Sequence, residues 1–408
     1  MTPGDKMSDM DNNEKRVTKV LFLTHNYIRF KGDFSGVFLH LLARKLKGFG
    51  IEVFVVAPHD CHTDEYEEID GIKIYRFRYA SDEKETFAYR GDMHRQLFRN
   101  PFRIFRLNSF IRASYRTALN VIEKEDIKVV SVQWLIPNGI TGYFLKRKLR
   151  EKIDLYLSSH GTDIRLLTKF PLVYSFFRPV IKRAKRWTVV SGYLKDLILA
   201  KDAGNDVKIR VIPLPNDETL FYPDPQISKE QFLVVAVSRL TIQKRLGILL
   251  EAVKMVSEKI PEIRLEIYGA GPERIPLNAL IESYGLEGRA KIFEPVPQEK
   301  LSNIYNRAAV VVLNSIKEGF GLALTEAMLC RTAVIGTKSG GIVDIIEDNK
   351  SGLLVPVDDA AALAERIGKI VGDISFRDRL AEEGYRRAMA KFSSESSARQ
   401  YADLFRGL

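Results

Sequence analysis

Cysteine is nearly absent from this chain: Cys61 and Cys330 are the only two in 408 residues. A disulfide scaffold is excluded, and a reducing compartment is the natural home. No apolar run approaches the ~20 residues that span a bilayer. Runs such as Ala308 to Leu313 have the length of a strand. Histidine is scarce as well, at 6 residues, and no H-E-x-x-H, zinc-type Cys/His spacing or P-loop occurs. The only D-x-D is Asp9-Met-Asp11, in a polar N-terminal tail without a signal peptide, where it reads as a solvated charge run. The expectation is a cytoplasmic protein with no metal site and no cofactor.

What is present points to folded domains. The chain is 45% hydrophobic, too much for a disordered protein. At about 150 residues per domain, its length suggests two or three domains. Lys plus Arg is 63 against 52 for Asp plus Glu, a net charge of +11. The basic residues cluster in the first half. Eight lie between Lys84 and Arg116, a second group runs over Lys146, Arg147, Lys148, Arg150 and Lys152, and a third over Arg178, Lys182, Arg183, Lys185 and Arg186. Nucleic acid, an anionic membrane or a phosphorylated substrate would each suit such a surface. Solvated helix faces account for most charge runs. Without zinc-finger spacing or an RNA-binding aromatic signature, no nucleic-acid partner is expected. From Asn100, an N-cap followed by Pro101 opens a helix whose apolar face takes Phe102, Phe105, Ile111, Tyr115, Ala118 and Ile122. Arg99, Arg103 and Arg106 fall largely off that face. A domain helix and a membrane-surface helix share this pattern.

Short β-branched runs alternate with helical patterns throughout. Strands are expected near 19–24, 52–57, 72–76, 128–133, 154–158 and 187–190, and most read as the continuous apolar runs of buried parallel sheets. A proline-rich stretch with Pro213, Pro215, Pro223 and Pro225 then reads as a linker. After it the alternation restarts near 232–237. This predicts an α/β protein of two parallel-sheet domains in series, with the ligand in the cleft at the carboxyl ends of strands.

The chemistry concentrates at expected strand ends. Glu318-Gly-Phe-Gly-Leu-Ala-Leu-Thr-Glu326 follows an apolar strand and opens a helix. The free amides and positive dipole of that helix start suit an anion. A carboxylate accepts two hydrogen bonds from a vicinal diol, so Glu318 and Glu326 could read a sugar and a ribose on either side of phosphates. A surface pair of glutamates beside loop glycines is the plainer explanation. Ser238-Arg239-Leu240 to Lys244 follows the first strand of the second half. Arg239 can fork two phosphate oxygens, and Lys244 adds a compact charge. Gly269-Ala-Gly271 and Gly340-Gly341-Ile-Val-Asp344 are further loops of this kind. In the first half, Gly32 to Gly36 leads into a helix, and Ser159-His160-Gly161-Thr162-Asp163 lies at a strand end. His160 could donate to a sugar hydroxyl, or be an ordinary hydrogen-bonded histidine.

These residues resemble a family. Glu318 to Glu326 is similar to the E-x7-E motif of family-4 retaining glycosyltransferases of the GT-B fold, the "group 1" glycosyltransferases. V-S-R-L-T-I-Q-K, I-Y-G-A-G-P-E, E-G-F-G-L-A-L-T-E-A-M-L-C and S-G-G-I-V-D-I-I-E-D-N-K-S-G-L-L-V extend the likeness in the second half. S-G-V-F-L-H-L-L-A-R-K-L, Q-W-L-I-P-N-G and S-H-G-T-D-I extend it in the first. It covers roughly Lys19 to the C-terminus and is weakest over 60–125. Leu214-Pro-Asn-Asp217, Cys330-Arg331-Thr-Ala333 and Arg245 depart from the usual pattern.

The resemblance implies roles. Arg239 and Lys244 would hold the donor diphosphate, and Glu326 the ribose. Glu318, with the amides of Phe320, Gly321 and Leu322, would hold the donor sugar and phosphate. His160 would face the transferred sugar, Gly36 would lie near the phosphates, and Val296 near the base. Asp163, Gly269 and Gly271 are secondary candidates. The implied activity is metal-independent transfer of a hexose or N-acetylhexosamine, with retention, from a UDP- or GDP-sugar to a glycan or lipid-linked acceptor. The alternative is a catalytically weak, sugar-nucleotide-binding partner of a membrane glycan assembly. The implied organisation is a tail over 1–16, an acceptor domain over 17–212 and a nucleotide-sugar domain over 213–389. A C-terminal helix over 390–408 would return to the first domain. A peripheral position at the inner face of the membrane follows from the basic clusters.

Overall fold

The computed structural model describes residues 17–33, 35–89, 103–202 and 209–408. The polar tail, Arg99, Asn100, Pro101 and Phe102 lie outside the described residues, as do the side chains at 103–104. The first sheet is built from β1 (Thr18–Leu23), β2 (Ile51–Pro58), β3 (Tyr66–Ile69), β4 (Ile72–Phe77), β5 (Val129–Gln133), β6 (Asp154–Ser159), β7 (Arg186–Val189) and β8 (Ile209–Val211). Their order is β3-β4-β2-β1-β5-β6-β7-β8. The central strand β1 pairs in parallel with β2 and β5, and its Val20, Leu21, Phe22 and Leu23 are fully buried. Helices on both faces explain why its sequence does not alternate.

The second sheet holds β9 (Glu230–Val237), β10 (Arg264–Tyr268), β11 (Ala290–Phe293), β12 (Ala308–Leu313), β13 (Ala333–Thr337) and β14 (Leu353–Val355). Their order is β11-β10-β9-β12-β13-β14, and every pairing is parallel. The order reverses between β9 and β12, which makes their carboxyl ends a topological switch point. Those are the ends that carry Arg239 and Glu318.

The chain passes between the two sheets twice. The first passage follows β8, and the second follows the long helix Ile374–Lys391. The passages are tied together at Asn216, which is buried and hydrogen-bonds the Phe392 carbonyl through both its amide (3.1 Å) and its side chain (2.8 Å). Ser394 returns a bond to the Asn216 carbonyl at 2.8 Å. The last helix, Ser394–Arg406, then packs on the helix Val37–Lys47 and on β1. Its Ala398, Tyr401, Ala402 and Phe405 complete the core around Val20 and Phe22.

Three local features differ from the expectations. The first sheet is not wholly parallel: β3 pairs antiparallel with β4 through Asp70-Gly71, both at positive φ. That two-residue turn is the usual hairpin geometry, and Tyr-Glu-Glu-Ile is a half-exposed edge strand with too little apolar character to stand out. In the helix Arg103–Glu125, Phe105 is 71% exposed, whereas Phe110, which the expected face omitted, is fully buried. The buried stripe is Phe110, Ile111, Ala118, Val121 and Ile122. Much of the basic charge is also engaged locally. Lys146 binds the carbonyls of Arg150 and Ile153, Lys185 pairs with Asp154 at 2.7 Å, and Arg183 binds the Pro179 carbonyl.

Candidate functional site

The loop from β12 to the helix Leu322–Leu329 is held on two sides. Gly340 and Gly341 lie against it so closely that a Cβ on Gly340 would stand 2.3 Å from the Glu318 carbonyl oxygen. The Gly341 amide hydrogen-bonds that same carbonyl at 2.8 Å. On the other side, a Cβ on Gly319 would stand 3.0 Å from the His160 carbonyl, in the first domain. Gly321, at φ 127°, turns the chain into the helix, whose first amides stay free of side-chain caps. The side chain of Phe320 does not face the cleft. It is buried against Phe392, so its amide alone is available to a ligand.

Glu318 and Lys244 meet directly, with Nζ to Oε2 at 2.5 Å. Burial pushes the Glu318 carboxyl up, but the charge and hydrogen bond of Lys244, with Arg165 further off, hold it below the ordinary value. It is therefore ionised near neutrality. The pair places one cation and one anion at the switch point, within a hydrogen bond of each other. Arg239 is exposed, and its guanidinium has no hydrogen bond or ion pair among the described residues. It is a free guanidinium on the turn after β9.

Gly269 and Gly271 do not face open space. A Cβ on Gly269 would stand 1.9 Å from the Ser238 carbonyl oxygen, and one on Gly271 would stand 2.2 Å from that of Leu240. Leu240 exchanges backbone hydrogen bonds with Ala270 (2.9 Å) and Glu273 (3.1 Å). These glycines let the loop after β10 lie flat beneath the Arg239 turn, and so they shape it from behind.

Glu326 lies more than one helical turn beyond Glu318. Its carboxyl is buried, accepts the Tyr305 hydroxyl at 2.9 Å, and is pushed up to about 7 by burial. It lines a small interdomain pocket with Phe38, His40, Arg44, Asn216 and Leu322. Thr325 beside it donates to the Asn216 side chain at 2.8 Å, which couples this helix to the first interdomain passage. Val296 is half-buried on the loop after β11, on the same carboxyl edge of the sheet.

In the first domain, Gly36 starts the helix Val37–Lys47 at φ 68°, packed under Asn26 and Tyr27 where a Cβ would stand 2.6 Å from the Asn26 carbonyl. His160 follows β6. Its Nε2 lies 3.1 Å from Gln133 Oε1, and the Gln133 amide nitrogen donates to Ser131 at 2.9 Å. That orientation of the amide assigns the imidazole proton to Nε2. Nδ1 is then a lone-pair acceptor, shielded from solvent and without a partner. Burial, with His25 nearby, lowers the His160 pKa to about 3, so the ring is neutral. The ring rests on Trp134 and Phe38, with centroids at 4.5 and 5.1 Å. Asp163 holds this loop in place. Its carboxylate accepts the amides of Leu135 (3.0 Å), Gly161 (3.2 Å) and Ile164 (3.1 Å).

Sequence reasoning missed His25 and Trp134. His25 follows β1, touches the Trp134 ring at 5.0 Å, and has its pKa lowered to about 4 by burial. Its position at the end of the central strand was the available signal. Two groups of metal-type ligands also come together, His59 with Asp82 and Glu85, and Asp60 with Cys61 and His62. Their members are engaged with the protein: Glu85 takes His59 at 2.6 Å and the Tyr79 amide at 3.0 Å, and Asp60 takes Arg29 and Cys61. Among the described residues, no helix is long and apolar enough to cross a membrane.

Two parallel-sheet domains with charged strand-end loops facing across a cleft define a GT-B protein, and known proteins agree. The family model for "Glycosyl transferases group 1" matches residues 218–387, and that for "Glycosyltransferase Family 4" matches residues 35–219. The chain belongs to the group 1 glycosyltransferases of the GT-B fold. It is 25% identical over 317 residues to the N-acetyl-alpha-D-glucosaminyl L-malate synthase of Bacillus anthracis, covering 75% of this chain and 81% of that one. It is 34% identical over 179 residues to the D-inositol 3-phosphate glycosyltransferase of Corynebacterium urealyticum, covering 42% of each. In fold it resembles the sucrose-phosphate synthase of Thermosynechococcus elongatus, with TM-score 0.76, 20% identity and coverage of 96% and 98%. It also resembles Anabaena HepE in complex with UDP and glucose, with TM-score 0.67, 17% identity and coverage of 96% and 100%.

Proposed function

We propose that this glycosyltransferase moves a hexose or N-acetylhexosamine from a UDP- or GDP-sugar to a hydroxylated acceptor, with retention and without a metal ion. The observation that carries the reading is the convergence of the Glu318–Lys244 pair, the free helix start at Leu322 and the His160 loop on one cleft. Arg239 and Lys244 receive the diphosphate, and its charge draws Lys244 from Glu318. The freed carboxylate takes sugar hydroxyls beside the carbon where positive charge develops. Glu326 grips the ribose, and Val296 lies under the base. His160 borders the transferred sugar, and its Nε2–H is donated to Gln133, not to the sugar hydroxyl expected from sequence.

The acceptor hydroxyl attacks from the face the diphosphate leaves. The bond from anomeric carbon to phosphate oxygen breaks as that from carbon to acceptor oxygen forms, and the departing phosphate takes the acceptor proton. The protein contributes position and charge. The solved complexes of HepE with UDP and glucose support UDP as the first nucleotide to try. The exposed Arg147, Lys148, Lys182 and Arg183 support a working place at an anionic membrane, each adding about 1 kcal/mol near such a surface. Hydrolysis of a panel of UDP- and GDP-sugars, with and without chelator, tests the activity. Absence of turnover on every donor, or loss of turnover in chelator, contradicts it. Sedimentation with anionic and neutral vesicles at low salt tests the membrane, and equal binding to both rejects it.

A further inference from the structure

The first domain holds a cavity apart from the nucleotide site. A cavity of about 460 Å³ opens beside His25 and Trp134, in the size range of small-molecule pockets. Phe87, Leu107, Ile136, Ile140, Leu166 and Phe177 supply its walls. Among the described residues, Asp163 is the only charged one lining it, and both of its oxygens are occupied by backbone amides. The Tyr89 hydroxyl, also on the wall, is taken by Arg76 and the Pro58 carbonyl. The polar groups left to a ligand are at one end, where His25, Asn26, Ser35 and Thr162 follow β1 and β6. His25 is neutral, since burial lowers its pKa to about 4, and its Nδ1 already faces the Asn138 amide at 3.0 Å. The other end reaches the surface at Phe176, which is 64% exposed, one helical turn from Leu172 at 85%. An apolar cavity that opens onto exposed apolar side chains, with the free hydrogen-bonding groups of its described residues at the end nearer His160, suits an elongated ligand of mixed character.

We infer that this cavity is the acceptor site and that the acceptor is amphipathic. Its hydroxylated head lies at His25 and Trp134, while an alkyl or aryl group fills the cavity and leaves past Phe176. The inference rests on the glycosyltransferase reading above and goes further by deciding between a purely polar glycan and an acceptor with an apolar group. Burial of each methylene in such walls is favourable by about 0.8 kcal/mol at most. A polar glycan of equal length would leave its hydroxyls unpaired there, which costs more than it returns.

The test uses the full chain and two probes that differ only in apolar length, methyl and n-hexyl β-D-glucoside, with binding measured calorimetrically. Hexyl glucoside should bind at least about tenfold more tightly than methyl glucoside, a fraction of the full methylene increment. Leu166→Lys, which places a charge in the wall from a half-buried position, should abolish that preference. Ile140→Trp, which fills the cavity, should do the same. Both variants should keep the melting temperature and the shift given by UDP or GDP, whichever the wild-type chain binds. Hexyl binding no tighter than methyl, including no detectable binding of either, overturns the proposal. A preference that survives in both variants also overturns it, because the alkyl chain then binds elsewhere. If the preference behaves as expected while no nucleotide binds, the glycosyltransferase reading is what fails and the amphipathic site stands.

Discussion

Asp344 of the second domain caps a helix of the first: its carboxylate accepts the Gly192 amide at 2.8 Å and that of Tyr193 at 3.4 Å. Ser191 takes the next free amide, that of Leu194, at 3.3 Å. The start of the helix Gly192–Lys201 is therefore satisfied partly from across the cleft. Burial raises the Asp344 pKa, and the two amides act against that rise. Removing an N-cap carboxylate costs about 0.5–2 kcal/mol. Asp344→Ala should favour a more open arrangement, visible as a larger radius of gyration in solution scattering without nucleotide. An unchanged radius would show that closure does not depend on this cap.

Arg239 and Lys244 should fail in different ways. Arg239 is exposed and unpaired among the described residues, so Arg239→Ala should leave the melting temperature within a degree or so, in keeping with the small effect of surface substitutions. Its turnover should fall by about 2–3 kcal/mol of transition-state stabilisation, or roughly 30- to 150-fold. Lys244→Met leaves the Glu318 carboxylate half-buried without its partner. Because Lys244 holds Glu318 below its usual pKa, the pair stabilises the fold above the ordinary carboxylate range. That contribution is lost as pH falls through the lowered value. The melting-temperature gap between wild type and Lys244→Met should be present at pH 7 and close as the pH is taken below the carboxylate range.

Glu326 should give a pH signature of the opposite sign. Its pKa in the folded chain is raised to about 7, so the neutral form is the favoured one and stability falls as pH rises from the ordinary carboxylate value through 7. Gripping a diol with two accepted hydrogen bonds requires the ionised form. The donor KM should therefore fall as pH rises through about 7, and Glu326→Gln should remove that dependence. A wild-type KM that is flat from pH 6 to 8 would contradict the ribose assignment.

The two glutamates should also separate kinetically. The ribose does not change during transfer, so Glu326→Gln removes uniform binding and should mainly raise donor KM. In the proposed reading Glu318 takes sugar hydroxyls beside the carbon where charge develops, so Glu318→Gln should mainly lower kcat. Steady-state kinetics with a melt of each variant decides. If Glu326→Gln unfolds the protein, the Tyr305–Glu326 bond is chiefly a structural one.

The alternation of apolar runs was enough to read the two sheets, because strands buried on both faces are written as unbroken β-branched stretches, as in Ala308–Leu313. The edge strand Tyr66–Ile69 was not legible, since it buries little and its pairing is set by the turn at Asp70-Gly71. Phe105 and Phe110 exchanged places because a helix of 23 residues touches its neighbours over only part of its length. The Glu318 loop was legible from its glycines and charges. The backing role of Gly269 and Gly271 was not, because it depends on which strand lies beside which. His25 and Trp134 are separated by more than a hundred residues and meet only because β1 and β5 are neighbours.

The return of the helix Ser394–Arg406 to the first sheet has a consequence for the order of assembly. Tyr401 and Phe405 cover the face of β1 laid down by Val20 and Phe22, and the Tyr401 hydroxyl reaches Thr188 on β7 at 3.3 Å. A chain emerging from the ribosome thus makes the first domain's central strand early and the helix that seals it late. Throughout synthesis of the second sheet, that face of β1 is covered only in part, by Leu39, Leu42 and Leu46 of the helix Val37–Lys47. The second domain is therefore made while the first still lacks the helix that completes its core.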